Sequence, residues 1–390
     1  MPAALFALAI GAFGIGLTEF VVAGILPQIA LDFGIDIPTA GLMATTYALG
    51  VFVGAPILTV LGARVPRKTM LIALALVFTL GNVVTALAPT FPIALAGRIL
   101  TAFNHGTFFG LGSIIAASLV VRDRQASAIA FMFSGLTLAN LFGVPAGTWL
   151  AQTYDWRLVF WLIAGIGLVT VTSIVLLVPR VAAGKAIALR AELRAFVDPQ
   201  VVLAMGITVF GPAAFFTSIT YIAPMMVEEA GVSDAGVARL MVLFGLGLAV
   251  GNWIGGRFAD RSLFGTLFVT LAAQAAVLLV FWLGVGNWAI AAASVFLMAA
   301  FGFATVSPIQ KLVMDRASRA GAPTMAASVN IGMFNLGNAI GAWVGGATIA
   351  AGFGLASPNW AGALLSLVAL GLAVIAWLTR EGEISAVAAE

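Results

Sequence analysis

The 390-residue sequence contains no cysteine, a single histidine and only 8% charged residues. Without cysteine there can be no disulfide, thiolate metal site or cysteine nucleophile, and the redox compartment leaves no trace. One histidine leaves little for a metal centre, and no cofactor is expected. The scarcity of charge excludes most. With 62% hydrophobic residues and a mean hydropathy of +1.13, the chain could not cover a water-soluble fold with polar surface. An integral membrane protein is expected. A membrane enzyme would need a nucleophile or a metal constellation, and neither can be assembled from one histidine and no clustered carboxylates in the apolar runs.

The net charge of +3 and an isoelectric point of about 9.7 do not point to nucleic acid. The basic residues lie in short clusters between apolar runs, where they report topology. The N-terminus lacks the basic region of a signal peptide, its apolar run is too long, and Glu19 interrupts it, so it reads as an uncleaved first span.

At roughly 20 residues per membrane helix, the length accommodates about a dozen. Apolar runs broken by proline, glycine and charge mark twelve spans, at 5–26, 40–61, 69–87, 93–119, 126–150, 159–178, 201–227, 237–258, 264–283, 288–309, 324–351 and 360–378. Fifteen of the 18 Lys and Arg residues fall on one side: Arg64, Arg67, Lys68, Arg122, Arg124, Arg180, Lys185, Arg190, Arg194, Arg257, Arg261, Lys311, Arg316, Arg319 and Arg380. The other side holds Arg157 and Arg239 against six acidic residues, Asp32, Asp36, Asp155, Glu228, Glu229 and Asp234. By the positive-inside rule both termini are cytoplasmic. The longest charged connection divides the chain into a first six-helix bundle, 1–178, a cytoplasmic linker, 179–199, and a second six-helix bundle, 200–390. The linker segment ALRAELRAF suits a basic amphipathic helix on the membrane surface. GARVPRK at 62–68 is echoed by GGRFADR at 255–261. Internal repeats of this kind belong to transporters that rock two bundles about a midplane substrate site.

Two charges lie inside spans. An ionisable residue there is costly and is a functional-site candidate by default. Glu19 sits about eight residues, roughly 12 Å, below the expected outer end of the first helix, and Arg98 about six residues, roughly 9 Å, below the same surface. Equal depth makes them candidate partners, directly or through a bound substrate, carrying protons, substrate or structure alone. Burial favours the neutral acid at Glu19, whereas a close arginine favours the carboxylate, so access to one side could switch its proton. His105 follows Arg98 by two helical turns on the same face and is a candidate proton acceptor or relay, or a histidine hydrogen-bonded to a neighbouring helix. Tyr47, Asn82, Asn104, Phe108, Phe109 and Asn140 in the first half, with Phe215, Phe216, Thr217, Tyr221, Asn252, Asn330, Asn335 and Asn338 in the second, either line an amphipathic cavity or pack helices. Such a cavity would suit a moderately apolar solute better than an ion. The glycine-rich stretches at 135–150 and 245–256 permit close helix approach, and Pro145 would kink its helix or stiffen a contact.

TEFVVAGILPQIALDFG at 18–34, YALGVFVGAP at 47–56, NHGTFFG at 104–110 and LANLFGVPAGT at 138–148 together resemble the twelve-helix drug:proton antiporter branch of the major facilitator superfamily, with its arabinose-efflux-like and chloramphenicol-efflux-like permeases. The resemblance spans nearly the whole chain. It implies that Glu19 is the membrane-embedded acid of the first helix, Arg98 the arginine of the fourth-helix motif, and Gly143, Pro145 and Gly147 the antiporter motif of the fifth, with Val144 inserted. In the loop after the second helix, Ala63 and Pro66 replace the usual aspartate and glycine. Arg64, Arg67 and Lys68 remain, and the second half keeps Asp260 and Arg261.

The expectation is an all-α protein of twelve transmembrane helices in two six-helix bundles, a monomer in the bacterial inner membrane. It would export a small organic solute, a drug or a sugar, against inward protons. Its partners are that solute, protons and the bilayer, with no nucleic acid. A proton-independent facilitator or importer of a sugar or nucleoside would share the fold without needing Glu19.

Overall fold

A computed structural model describes residues 2–62, 64–121, 125–180, 196–259, 261–320 and 326–387, which are helical throughout their apolar runs. This is what a bilayer requires, since a lone segment in hydrocarbon must satisfy its backbone groups internally. The first half contains α1 (Ala3–Phe33), α2 (Ile37–Ala40), α3 (Leu42–Gly62), α4 (Arg67–Leu87), α5 (Phe91–Ala102), α6 (His105–Ser118), α7 (Gln125–Leu138), a π turn (Ala139–Gly143), α8 (Val144–Thr153) and α9 (Trp156–Leu177). The second contains α10 (Pro199–Ile219), α11 (Ile222–Glu228), α12 (Asp234–Ala259), α13 (Leu263–Gly284), α14 (Trp288–Ala304), α15 (Val306–Arg319), α16 (Ala326–Ala350) and α17 (Ser357–Val387). Polar residues mark the entries. Asp36, Asp155, Asp198, Ser262 and Asn287 each accept a backbone N–H in the first turn of the helix that follows. The Thr39 donors also hold the Asp36 carboxyl below the usual carboxylate range.

Eleven of the described helices or helix pairs are long and apolar enough to cross a membrane. The twelfth expected span forms as α16, and its asparagines, Asn330, Asn335 and Asn338, account for its weaker hydropathy. Several spans are assembled from two helices: α2 with α3, α5 with α6, α10 with α11, and α14 with α15. The first span also departs from expectation. Its helix does not end near Pro27 but runs through it to Phe33, where Gly34 adopts a left-handed conformation (φ 62°) and closes the helix through Ala30 and Leu31 carbonyls. A proline deletes one helix bond, which a long helix tolerates. Glu19 therefore lies deeper than reckoned, about fourteen residues or roughly 21 Å from the helix end. Residues 181–195, with most of the expected linker helix, and Asp260 lie outside the described residues.

Within the first bundle α1 packs against α7, α8 and α9, and α4 against α5 and α9. Within the second, α10 packs against α16 and α17, and α12 against α14. That last pairing bears out the expected close approach. Gly247, Gly251 and Gly255, one per helical turn on α12, face the carbonyl oxygens of Phe296, Ala300 and Ala304 on α14. A side chain at the centre of this row meets fixed backbone. Gly251→Val is therefore expected to destabilise the protein by about 1–3 kcal/mol or more, seen as a lower denaturation midpoint in detergent. A folded variant with an unchanged midpoint would contradict the packing.

At the end of the first bundle away from the termini, Arg157 joins three helices. Its Nη1 pairs with Asp32 at 2.6 Å, its Nη2 donates to the Ala88 carbonyl at 3.1 Å, and its guanidinium lies 4.5 Å from the Trp156 ring centre. Because the pair is partly exposed, the whole clamp contributes about 1–2 kcal/mol. Arg157→Ala should lower the denaturation midpoint modestly. The wild-type advantage should shrink in high salt, and a salt-independent difference would assign the effect to packing alone.

Candidate functional site

Arg98 is fully buried in the first bundle. It is brought there by a close crossing of α4 and α5, where Gly81 and Gly97 each face backbone of the other helix. Its Nη1 donates to both the carbonyl and the hydroxyl of Thr18 at 2.9 Å, and its Nε to the Met43 carbonyl at 3.2 Å. Thr18 in turn donates to Asn82 Oδ1 at 3.0 Å. The guanidinium carbon lies 4.3 Å from the centre of the Tyr47 ring, a cation–π distance. The Tyr47 hydroxyl lies 3.0 Å from His105 Nδ1. Arg98 and His105, expected on one continuous helix, are on two: the fourth span breaks at Phe103–Asn104, where the Asn104 N–H makes a tightened turn to Thr101. Tyr47 from the second span bridges the break.

Among the described residues no direct ion pair joins Glu19 to Arg98. The reason is angular. Consecutive helical residues point about 100° apart, so the helix that gives Thr18 to Arg98 turns Glu19 towards the second bundle. There Asn338 of α16 directs its Nδ2 to Glu19 Oε1 at 3.4 Å. Asn338 is wholly buried, and its Oδ1 has no partner. The next residue, Phe20, enters a cluster of second-bundle rings, with centroids 5.8 Å from Phe216, 6.0 Å from Phe244 and 6.1 Å from Phe303. Phe215 stacks on Phe244 at 5.8 Å in the same cluster. Thr18, Phe20, Phe244 and Phe303 were not singled out from the sequence. Thr18 and Phe20 flank Glu19 in the TEF stretch, which was the available signal.

The remaining candidates disperse. Phe108 packs on Gly11 of α1, while Phe109 lies edge-on to His105 and stacks on Phe133. Thr217 bonds its own helix, and Asn330 joins Thr208 and Gln310 inside the second bundle. Asn140 and Asn335 each donate to a carbonyl one turn back and leave a buried Oδ1 unpaired, and the buried Asn104 Oδ1 is likewise unpaired. Gly143 and Gly147 seat α8 against Leu17, Val21 and other apolar side chains, and Pro145 opens α8 just after the π turn. That turn faces Gly245 of α12 through the backbone of Asn140 and Leu141. At the end away from the termini, Tyr221 closes the seam between bundles. Its hydroxyl donates to the Ala342 carbonyl at 2.7 Å, and its ring fills the space left by Gly41 in the first bundle and by Gly345 and Gly346 in the second. Of the loop candidates, Lys68 caps α9 through the Val175 carbonyl at 2.8 Å, a cation at a helix C-terminus, and Arg261 lies over the Phe258 ring. Arg64 is exposed and Arg67 begins α4.

Two bundles of membrane helices, meeting along a seam that holds a carboxyl, amides and aromatic rings, define a membrane transporter rather than an enzyme. The chain belongs to the Major Facilitator Superfamily, which matches residues 8–332. It is 46% identical to the inner membrane transport protein YdhP of Escherichia coli K12, over 94% of each chain. It is 35% identical to a chloramphenicol resistance protein of Streptomyces lividans over 95% of each. With the putative transporter AraJ of E. coli K12 the identity is 33%, over 95% of this chain and 94% of that one. Among solved structures, a D-xylose–proton symporter superposes with a TM-score of 0.76 at 14% identity, covering 96% of this chain and 97% of the other, a likeness of fold alone. The protein is thus a multi-pass transporter of small solutes with efflux-type relatives.

Proposed function

We propose that the protein is a proton-coupled exporter of the bacterial inner membrane, with both termini cytoplasmic, exchanging inward protons for an outward, moderately apolar organic solute. The observation that carries this reading is Glu19, a carboxyl deep in the first span that has no direct ion-pair partner among the described residues and faces the seam. A carboxyl so placed is suited to binding and releasing a proton as the seam opens and closes. The ring cluster around Phe20 supports an amphipathic solute, and the name of the Streptomyces relative supports export. Everted membrane vesicles test it with labelled chloramphenicol, arabinose, uridine and ethidium. A respiration-driven acid lumen should drive accumulation of at least one of them, and nigericin, which collapses the pH gradient, should abolish it. Uptake that only equilibrates the solute, never exceeding its outside concentration and indifferent to nigericin, would overturn proton coupling and leave a facilitator.

A further inference from the structure

We propose that Asn338 is the residue through which the second bundle distinguishes protonated from ionised Glu19, making it a positioning residue for proton coupling. The inference rests on Glu19 being the proton site.

The argument is one of hydrogen-bond inventory. A carboxylic acid presents one donor and one acceptor, and a carboxylate presents acceptors alone; a primary amide presents both. Protonated Glu19 is therefore complementary to the whole Asn338 amide, its carbonyl accepting from Nδ2 and its hydroxyl donating to Oδ1. Ionised Glu19 can use only Nδ2, and it leaves Oδ1 facing a negative charge. In the structure the Nδ2 contact spans 3.4 Å, while Oδ1 is buried and unpartnered. A buried polar atom without a partner is costly, and the proton that Glu19 takes up supplies the missing donor.

The contact crosses from α1 in one bundle to α16 in the other, so its strength is felt only while the seam is closed. Proton uptake and closure at the Tyr221 end then favour each other by linkage. The other ionisable groups near Glu19 belong to the first bundle: Arg98 on α5, Tyr47 on α3 and His105 on α6. The remaining charged residues on elements packed against α1, namely Arg157 of α9, Glu228 of α11, and Asp234, Arg239 and Arg257 of α12, lie near helix ends. From α16, which carries no charged residue, the group that reaches Glu19 is the Asn338 amide.

The absence of cysteine makes the test direct. Spin labels are attached at Leu31→Cys and Phe353→Cys, exposed positions of the two bundles at the closed end, and the full chain is placed in nanodiscs with protons as the only probe. In the labelled parent the short-distance population should rise as pH falls. Glu19→Gln, whose amide also pairs with an amide, should show that population at every pH. Asn338→Leu and Asn338→Ala each remove one more bond from the acid than from the carboxylate, so their profiles should move towards acid by about half to one pH unit. Superposition of both variants on a parent that titrates, and whose titration Glu19→Gln abolishes, would overturn the role of Asn338 and leave Glu19 as the proton site. A parent that does not titrate at all would overturn the proton-site reading and this inference with it.

Discussion

Glu19→Gln is expected to lower pH-gradient-driven solute accumulation in everted vesicles by about 5- to 150-fold, the range of a coupling free energy of 1–3 kcal/mol. The same variant should still equilibrate solute down its own gradient. Glutamine matches glutamate in size and can keep the bond from Asn338 Nδ2, so the seam can still close. It cannot ionise, so no proton crosses with the cycle. Its remaining transport should lose the pH dependence of the parent. The denaturation midpoint should change little, because no ion pair with Arg98 is broken. Uphill transport equal to wild type in the variant would remove Glu19 from the proton path. A large fall in both transport modes together with a lower midpoint would instead make it a structural residue.

The spans were legible because hydropathy over some 20 residues is a bulk property, set by the bilayer rather than by neighbours. Even α16, whose three interior asparagines weaken its hydropathy, was placed within one residue of its C-terminal end at Ala350. What the sequence could not carry was direction. The depths were reckoned from a helix end misplaced at Pro27, and although Arg98 does lie beside the Thr18–Glu19 step, only packing shows that Thr18 takes the guanidinium and that Glu19 faces α16. Asn338 was visible only as one of several interior asparagines. Its distinction, a bond across the seam and an unpaired oxygen, depends on how α1 and α16 are rotated. The break at Phe103–Asn104 was likewise hidden, since it lies within an apolar run with no proline near it, whereas the break at Thr220–Tyr221 had a signal in Pro224, which cannot donate to the Thr220 carbonyl. Pro27 misled in the opposite sense, because a proline late in a long helix deletes one bond without ending it.

Arg98→Met is expected to abolish coupled transport while leaving stability unchanged or raising it, by no more than the about 1–4 kcal/mol seen when a whole buried ion pair or triad gives way to apolar side chains of similar volume. The guanidinium is wholly buried, has no carboxylate in direct contact, and leaves Nη2 without a partner. Thr18 and Met43 offer it carbonyl oxygens that lie within helices, where such groups ordinarily accept the i+4 amide as well, so removing it strands few acceptors. What it holds is an arrangement: the Thr18 turn of α1 on one side and the Tyr47 ring, with His105 behind it, on the other. Methionine fills the volume but fixes neither. Arg98→Lys keeps the charge but not the fork that reaches Thr18 and Met43 together, so it should recover little transport. Thermal denaturation in detergent, beside vesicle uptake, separates two accounts. A strut would lose about 3–5 kcal/mol in the methionine variant and regain it with lysine. A residue that places charge for transport would lose activity in both variants and stability in neither, as expected of a charge whose burial is a cost borne for function.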